Sequence, residues 1–223
     1  MCLPGKISAS MMCASLLNLE DDIRQLEKAG VEYLHIDIMD GVFVPNIMLS
    51  NSFIRAVRSI TGLPLDIHLM ITQPENKLEW FDIQENDIVA IHYESTSNVE
   101  GTLQMIGHLG AHPAVALSPA TPIEVISYLL EDLYMVNIMA VNPGFSGRTM
   151  VPMTLQKIND TRDFLNRKGK TDIMIEADGN VTFEHAMEMR KAGADMFVGG
   201  SSSLFDPRYS ITEAVTRLRN SIL

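Results

Sequence analysis

The sequence predicts an α/β protein, a single parallel (β/α)8 TIM barrel over residues 1–223, and three observations lead there. Strand-like and helix-like stretches alternate eight times, with no proline-rich, serine-rich or charged linker between them. The strands are dense in aliphatic residues, as parallel strands buried on both faces must be. No Gly-rich loop follows the first strand, where Met12-Cys13-Ala14-Ser15 stands instead, and this disfavours the rival doubly wound sheet. The chain is somewhat shorter than the roughly 250 residues usual for such a barrel.

Strands are expected at 7–11, 33–39, 64–70, 88–92, 114–118, 135–141, 172–177 and 195–199. Helices are expected near 16–29, 51–60, 74–81, 98–109, 122–131, 151–168, 182–192 and 208–221. Thr72-Gln-Pro-Glu75 and Thr121-Pro-Ile-Glu124 have the spacing of capping boxes, with Pro122 at the first helical position. Gly30 and Gly193 stand where C-terminal caps belong.

Hydrophobic residues make up 46% of the chain and charged residues 20%, a globular balance. The net charge of −11 and the lack of a basic cluster exclude a nucleic-acid binder and disfavour anionic membranes. No apolar run is long enough to span a bilayer. Cys2 and Cys13 are expected to be free thiols in a reducing compartment. The N-terminal stretch has no apolar signal-like region, and a cytoplasmic location is expected.

Residues two apart share a strand face. Leu34, Ile36 and Ile38, Ile67 and Leu69, and Ile173 and Ile175 then face the helices. His35, Asp37 and Met39, His68 and Met70, Met139, and Glu176 and Asp178 point into the barrel. Enzymes of this fold place their chemistry at the C-terminal strand ends, where His35, Asp37, His68 and Asp178 are expected to meet. Two imidazoles and two carboxylates suit Zn²⁺, Fe²⁺, Mn²⁺ or Co²⁺. The alternative is a set of core histidines satisfied by neighbouring carboxylates. Met39, Met70 and Met139 would line this centre, and Glu176 lies one layer deeper, able to orient a ligand or pair with a polar neighbour. Two glycine-bearing loops, Val141-Asn-Pro-Gly-Phe-Ser-Gly-Arg148 and Val198-Gly-Gly-Ser-Ser-Ser203, follow the sixth and eighth strands. With Asp178-Gly-Asn180 between them, their backbone N–H groups suit a phosphate.

Ser8-Ala-Ser10, His35-Ile-Asp-Ile-Met-Asp-Gly-Val-Phe-Val-Pro-Asn46, His68-Leu-Met70, Met139-Ala-Val-Asn-Pro-Gly-Phe-Ser-Gly147, Asp178-Gly179 and Gly200-Ser201 together resemble the ribulose-phosphate 3-epimerase family. The resemblance runs from the first strand to the last. It implies a metal-dependent 3-epimerase of ketose phosphates, with His35, Asp37, His68 and Asp178 on one divalent ion, zinc favoured over Fe²⁺, Mn²⁺, Co²⁺ or Mg²⁺. It implies that Asp37 and Asp178 are the acid–base pair. Ser10, His68, Met39, Met70 and Met139 would contact substrate. Gly144, Phe145, Ser146, Gly147, Gly179, Asn180, Gly200, Ser201 and Ser202 would hold its phosphate. A homo-oligomer, dimer or hexamer, is implied by the resemblance alone.

Inversion at C3 of a ketose needs one proton removed beside the carbonyl and one returned to the opposite face, hence a carboxylate on each side. Met12-Cys13, Leu16-Leu17, Leu49-Ser50 and Ser203-Leu-Phe205 resemble the branch that converts D-allulose 6-phosphate to D-fructose 6-phosphate, and this is the favoured substrate. D-ribulose 5-phosphate to D-xylulose 5-phosphate is the alternative. Arg148, Asn180 and Ala177 depart from the family pattern (glutamine, glycine or serine, and valine are usual), and segment 82–92 is shortened. A lyase of the orotidine-phosphate decarboxylase type would need a D-x-K-x-x-D pattern, which Asp37-Ile-Met-Asp40 lacks. A non-catalytic sugar-phosphate-binding barrel would be expected to have lost one of the four centre residues.

Overall fold

The computed structural model describes residues 4–223, so Cys2 lies outside the described residues. Among the described residues there are nine strands: β1 (Lys6–Ser10), β2 (Tyr33–Asp40), β3 (Ile47–Met48), β4 (Leu65–Met70), β5 (Ile88–His92), β6 (His112–Leu117), β7 (Met135–Met139), β8 (Met174–Asp178) and β9 (Met196–Gly199). Eight of them pair in parallel in the order β1-β9-β8-β7-β6-β5-β4-β2, and β1 pairs with β2 to close the barrel. The two-residue β3 pairs antiparallel with the end of β2, an addition absent from the sequence reading. Six α-helices of the described residues pack outside: α1 (Leu19–Ala29), α2 (Asn51–Ile60), α3 (Val99–His108), α4 (Thr154–Arg167), α5 (Phe183–Ala192) and α6 (Ile211–Ser221).

The face assignments hold. Leu34, Ile36, Ile67, Leu69 and Ile175 are buried in the layer between strands and helices. The barrel floor is a separate cluster of Tyr33, Ile88, Ala90, Ala114, Met135 and Met196. Above it the lumen turns polar, with Ser8, His35, Asp66, Asn137 and Glu176 fully buried. Apolar packing thus closes the bottom, and polar residues occupy the upper two layers.

Helices expected at 74–81 and 122–131 are short 3-10 turns instead, at Pro74–Asn76, Leu78–Trp80 and Ile123–Ile126. Neither expected capping box forms, and residues of both make tertiary bonds. Thr72 N–H donates to Asp40 at 2.9 Å, and Thr72 O accepts from Lys77 Nζ at 2.6 Å. Thr121 Oγ1 donates to Glu94 across the chain, and Pro122 takes the cap position rather than the first turn. The capping box that does form is Ser210–Glu213 on α6. Gly30 and Gly193 cap α1 and α5 in left-handed conformations, as expected.

Candidate active site

Parallel register builds the centre. Between β2 and β4, His35 pairs with Asp66, Asp37 with His68 and Met39 with Met70, so like layers meet side by side. Asp178, at the end of β8, reaches the same point from three strands away. Asp37 Oδ1 lies 3.3 Å from His35 Nε2 and 3.4 Å from His68 Nδ1. Asp178 Oδ2 lies 3.4 Å from His68 Nδ1 and 3.8 Å from His35 Nε2. Donors in a tetrahedron ~2.0–2.1 Å from one ion stand roughly 3.3–3.4 Å apart, which three of these four separations match, while Asp178 stands wider from His35. His35 Nε2 and His68 Nδ1 are buried and have no hydrogen-bond partner, which leaves both aimed at the same space. His35 is mid-strand rather than in the last turn, one layer below Asp37, and its Nε2 reaches upward.

Each imidazole is held from behind. His35 Nδ1 donates to Asp66 Oδ2 at 2.6 Å, and Asp66 also accepts from Ser8 Oγ at 2.8 Å. His68 Nε2 lies 2.9 Å from His92 Nε2, and His92 Nδ1 lies 3.1 Å from Glu94 Oε2. Burial disfavours charge on His35, yet the carboxylates of Asp66 and Asp37 outweigh it and raise its pKa well above the usual value. Burial likewise opposes the charge on Asp37, but His35 and His68 hold its carboxyl far below the usual range. The site therefore favours positive charge among its carboxylates. Glu176 is pushed the other way: burial and the neighbouring Asp66 carboxylate raise its pKa well above the usual value. Its Oε1 lies 4.0 Å from His35 Nδ1, and both its carboxyl oxygens are buried with no hydrogen-bond partner. Its neighbour Asn137 is buried with no partner.

Above the centre opens a cleft of about 570 Å³, continuous with solvent. Ser10, Asp37, Met39, Met70, Met139 and Asp178 line its floor and walls. Ser10 Oγ donates to Asp37 Oδ2 at 3.2 Å. All nine residues expected to hold phosphate, from Gly144 to Ser202, line its rim together with Arg148. His35 and His68 do not line the cleft; both are fully buried beneath it. Gly179 has φ +107°, and a Cβ there would come within 2.6 Å of Val141, so no larger residue fits. Asn180 joins two rim loops: its Oδ1 accepts from Met150 N and its Nδ2 donates to Ser202 Oγ, each at 3.2 Å. The segment after β9 is a hydrogen-bonded turn on Gly200 O rather than a helix start, so any anion there would meet turn N–H groups. Arg148 stacks over Phe145, 5.2 Å from the ring centre.

Sequence reasoning missed Asp66, His92 and Glu94. The signal for Asp66 was present, since it shares parity with His68. His92 shares inward parity with Ala90 and opens a His-x-Glu spacing, but nothing in the spacing shows that β5 sets it against His68. Among the described residues, no helix is long and apolar enough to cross a membrane.

Known proteins match at two levels. The chain has 40% identity over 197 residues to the ribulose-phosphate 3-epimerase of Bacillus subtilis, covering 88% of this chain and 91% of that protein. It has 40% identity to the chloroplastic ribulose-5-phosphate-3-epimerase of Arabidopsis thaliana, covering 88% and 70%. It has 34% identity to the Escherichia coli K12 ribulose-phosphate 3-epimerase, covering 91% and 90%. Among solved structures, a 3-hexulose-6-phosphate synthase superposes with a TM-score of 0.66 at 15% identity, over 98% of this chain and 100% of that one. A thiamine phosphate pyrophosphorylase from Pyrococcus furiosus gives 0.64 at 12%, over 97% and 95%. These two support the barrel fold alone. Residues 6–205 match the ribulose-phosphate 3 epimerase family, and with the curated relatives this places the chain in that family, as an epimerase and so an isomerase acting on carbohydrates.

Proposed function

We propose that this protein interconverts D-ribulose 5-phosphate and D-xylulose 5-phosphate by inverting C3. The observation that carries the reading is the convergence of His35, Asp37, His68 and Asp178, with ligand atoms all within 4.8 Å of one another, beneath a cleft rimmed by glycine and serine loops. Those four side chains would hold one divalent ion, with zinc the best match to two nitrogens and two oxygens. When bound, the ion supplies Lewis-acid stabilisation of the negative charge that develops on the sugar oxygens.

The proton work falls to the protein. Asp37 from β2 and Asp178 from β8 approach from opposite sides of the barrel mouth, so one takes the C3 proton and the other returns a proton to the far face. Their order reverses with the direction of reaction. Ser10, bonded to Asp37, orients that carboxylate and contacts the sugar. The three methionines keep water from the reacting carbon. The rim loops 144–147, 179–180 and 200–202 bind the phosphate through backbone N–H groups and hydroxyls.

The five-carbon substrate replaces the allulose phosphate favoured from sequence. The relatives at 34–40% identity are named for ribulose phosphate. Of the local features that suggested a six-carbon sugar, Met12 and Cys13 line the cleft. Leu16 and Leu17 are 64% and 96% exposed and do not line it, and Ser203 and Leu204 are buried, so their identity says little about the sugar. A side-by-side turnover assay on the two phosphates tests this. Faster turnover of allulose 6-phosphate would restore the six-carbon reading, and turnover of neither would favour a binding barrel. A homo-oligomer in the cytoplasm is the accompanying expectation, checked by light scattering and fractionation.

A further inference from the structure

We infer that His92, anchored by Glu94, is a positioning residue that fixes the tautomer of His68 and so presents His68 Nδ1 to the metal.

The inference follows from donor and acceptor bookkeeping along one chain of groups. A neutral imidazole has one N–H donor and one bare nitrogen, and two imidazole nitrogens in contact need one of each. His68 Nε2 and His92 Nε2 lie 2.9 Å apart, and both rings are fully buried, so water cannot supply the missing partner. The direction of this bond is set at the far end. His92 Nδ1 faces Glu94 Oε2 at 3.1 Å. A carboxylate only accepts, so His92 carries its proton on Nδ1 and leaves Nε2 bare. His68 must then carry its proton on Nε2. Its Nδ1 is bare, and it faces Asp37 and Asp178, each 3.4 Å away.

Glu94 is itself pinned. Its second oxygen accepts from Ser118 N at 3.0 Å and from the Thr121 hydroxyl. The loop after β6 therefore holds the carboxylate, the carboxylate orients His92, and His92 orients His68. The ring geometry suits this bond: His92 and His68 lie 26° from parallel with centroids 5.0 Å apart, as two imidazoles joined edge to edge do, and the Phe43 ring lies 4.8 Å from that of His92. The two imidazoles of the centre consequently use opposite nitrogens, Nε2 on His35 and Nδ1 on His68.

This rests on the reading of His68 as a metal ligand, and the experiment separates the two. In the zinc-loaded full-length protein, long-range ¹H–¹⁵N spectra of the imidazoles are expected to show His68 protonated on Nε2 and His92 on Nδ1. Competition with a chromophoric chelator is expected to show a 10–100-fold loss of zinc affinity in His92→Phe, the size typical when a group behind a ligand is removed. His92→Gln, whose amide oxygen can still accept from His68 Nε2, is expected to recover most of that loss. Glu94→Ala should lie between, with a shifted Co²⁺ absorption spectrum. If His68→Ala binds zinc as tightly as the parent, the reading of His68 as a ligand fails. If His68→Ala binds weakly while His92→Phe binds normally, or if His68 is protonated on Nδ1 in the parent, the role of His92 is overturned and the ligand reading stands.

Discussion

The centre and the rim of the cleft are built by different means. The centre consists of side chains on strands, and its imidazoles are fully buried, each backed by a hydrogen bond. The rim consists of loop backbone and short hydroxyls, with Ser146, Gly147 and Ser201 exposed. Charge that moves during a reaction needs fixed, dry partners, because a low-dielectric site strengthens each interaction. A phosphate keeps its charge throughout and needs only enough N–H groups near it. Damage at the centre should therefore appear in kcat, and damage at the rim in KM.

The largest expected effect is at the carboxylates. Asp37→Asn and Asp178→Asn should each lower kcat by about 10²–10⁴-fold with the far-UV spectrum unchanged. Exchange of the C3 proton with deuterium from solvent measures this directly, and full exchange in either variant would remove that residue from the acid–base pair. Stripping metal with a chelator should abolish turnover, and Zn²⁺, Mn²⁺ or Co²⁺ should restore it. An unchanged rate in protein shown to be metal-free would dissolve the distinction between centre and rim.

At the rim the effects are smaller. Asn180 adopts φ 50°, which glycine also tolerates, so Asn180→Gly removes its two 3.2 Å bonds without strain. At about 1 kcal/mol for each bond, KM should rise roughly 5–30-fold with kcat nearly unchanged. A matching fall in kcat would mean that the rim positions the reacting carbon as well. Arg148→Gln, at an exposed position, should raise KM only a few-fold, and more at low salt than at high.

The smallest effect on turnover is expected at Asp40, which ties the loop after β2 to β4. Burial opposes its charge, but the N–H groups of Phe43, Thr72 and Val42 and the Lys77 ammonium lower its pKa to about 2. That lies below the ~3.9 of an unfolded aspartate, so the stabilisation is complete above about pH 5 and is lost as pH falls toward 2. Asp40→Asn should cost about 2 kcal/mol of unfolding free energy at neutral pH. Urea titrations of both proteins from pH 7 to 2 should converge as the pH falls. A constant gap would show that the charge is not what Asp40 contributes.

The sequence by itself determined the barrel, the inward parity of His35, Asp37, His68 and Asp178, and the glycine loops of the rim. These are properties of single strands and turns, because side-chain alternation and glycine conformations are local. Only the tertiary structure decided the support behind the centre. Asp66 meets His35 through the β2–β4 register, and His92 meets His68 because β5 lies beside β4. Long-range bonds also appear at the expected helix caps that fail. Thr72 and Thr121 have the right spacing, yet Thr72 N–H bonds Asp40 and the Thr121 hydroxyl bonds Glu94, 32 and 27 positions away. Local spacing can say what a residue is able to bond; which partner it takes depends on which strands the closed barrel brings together.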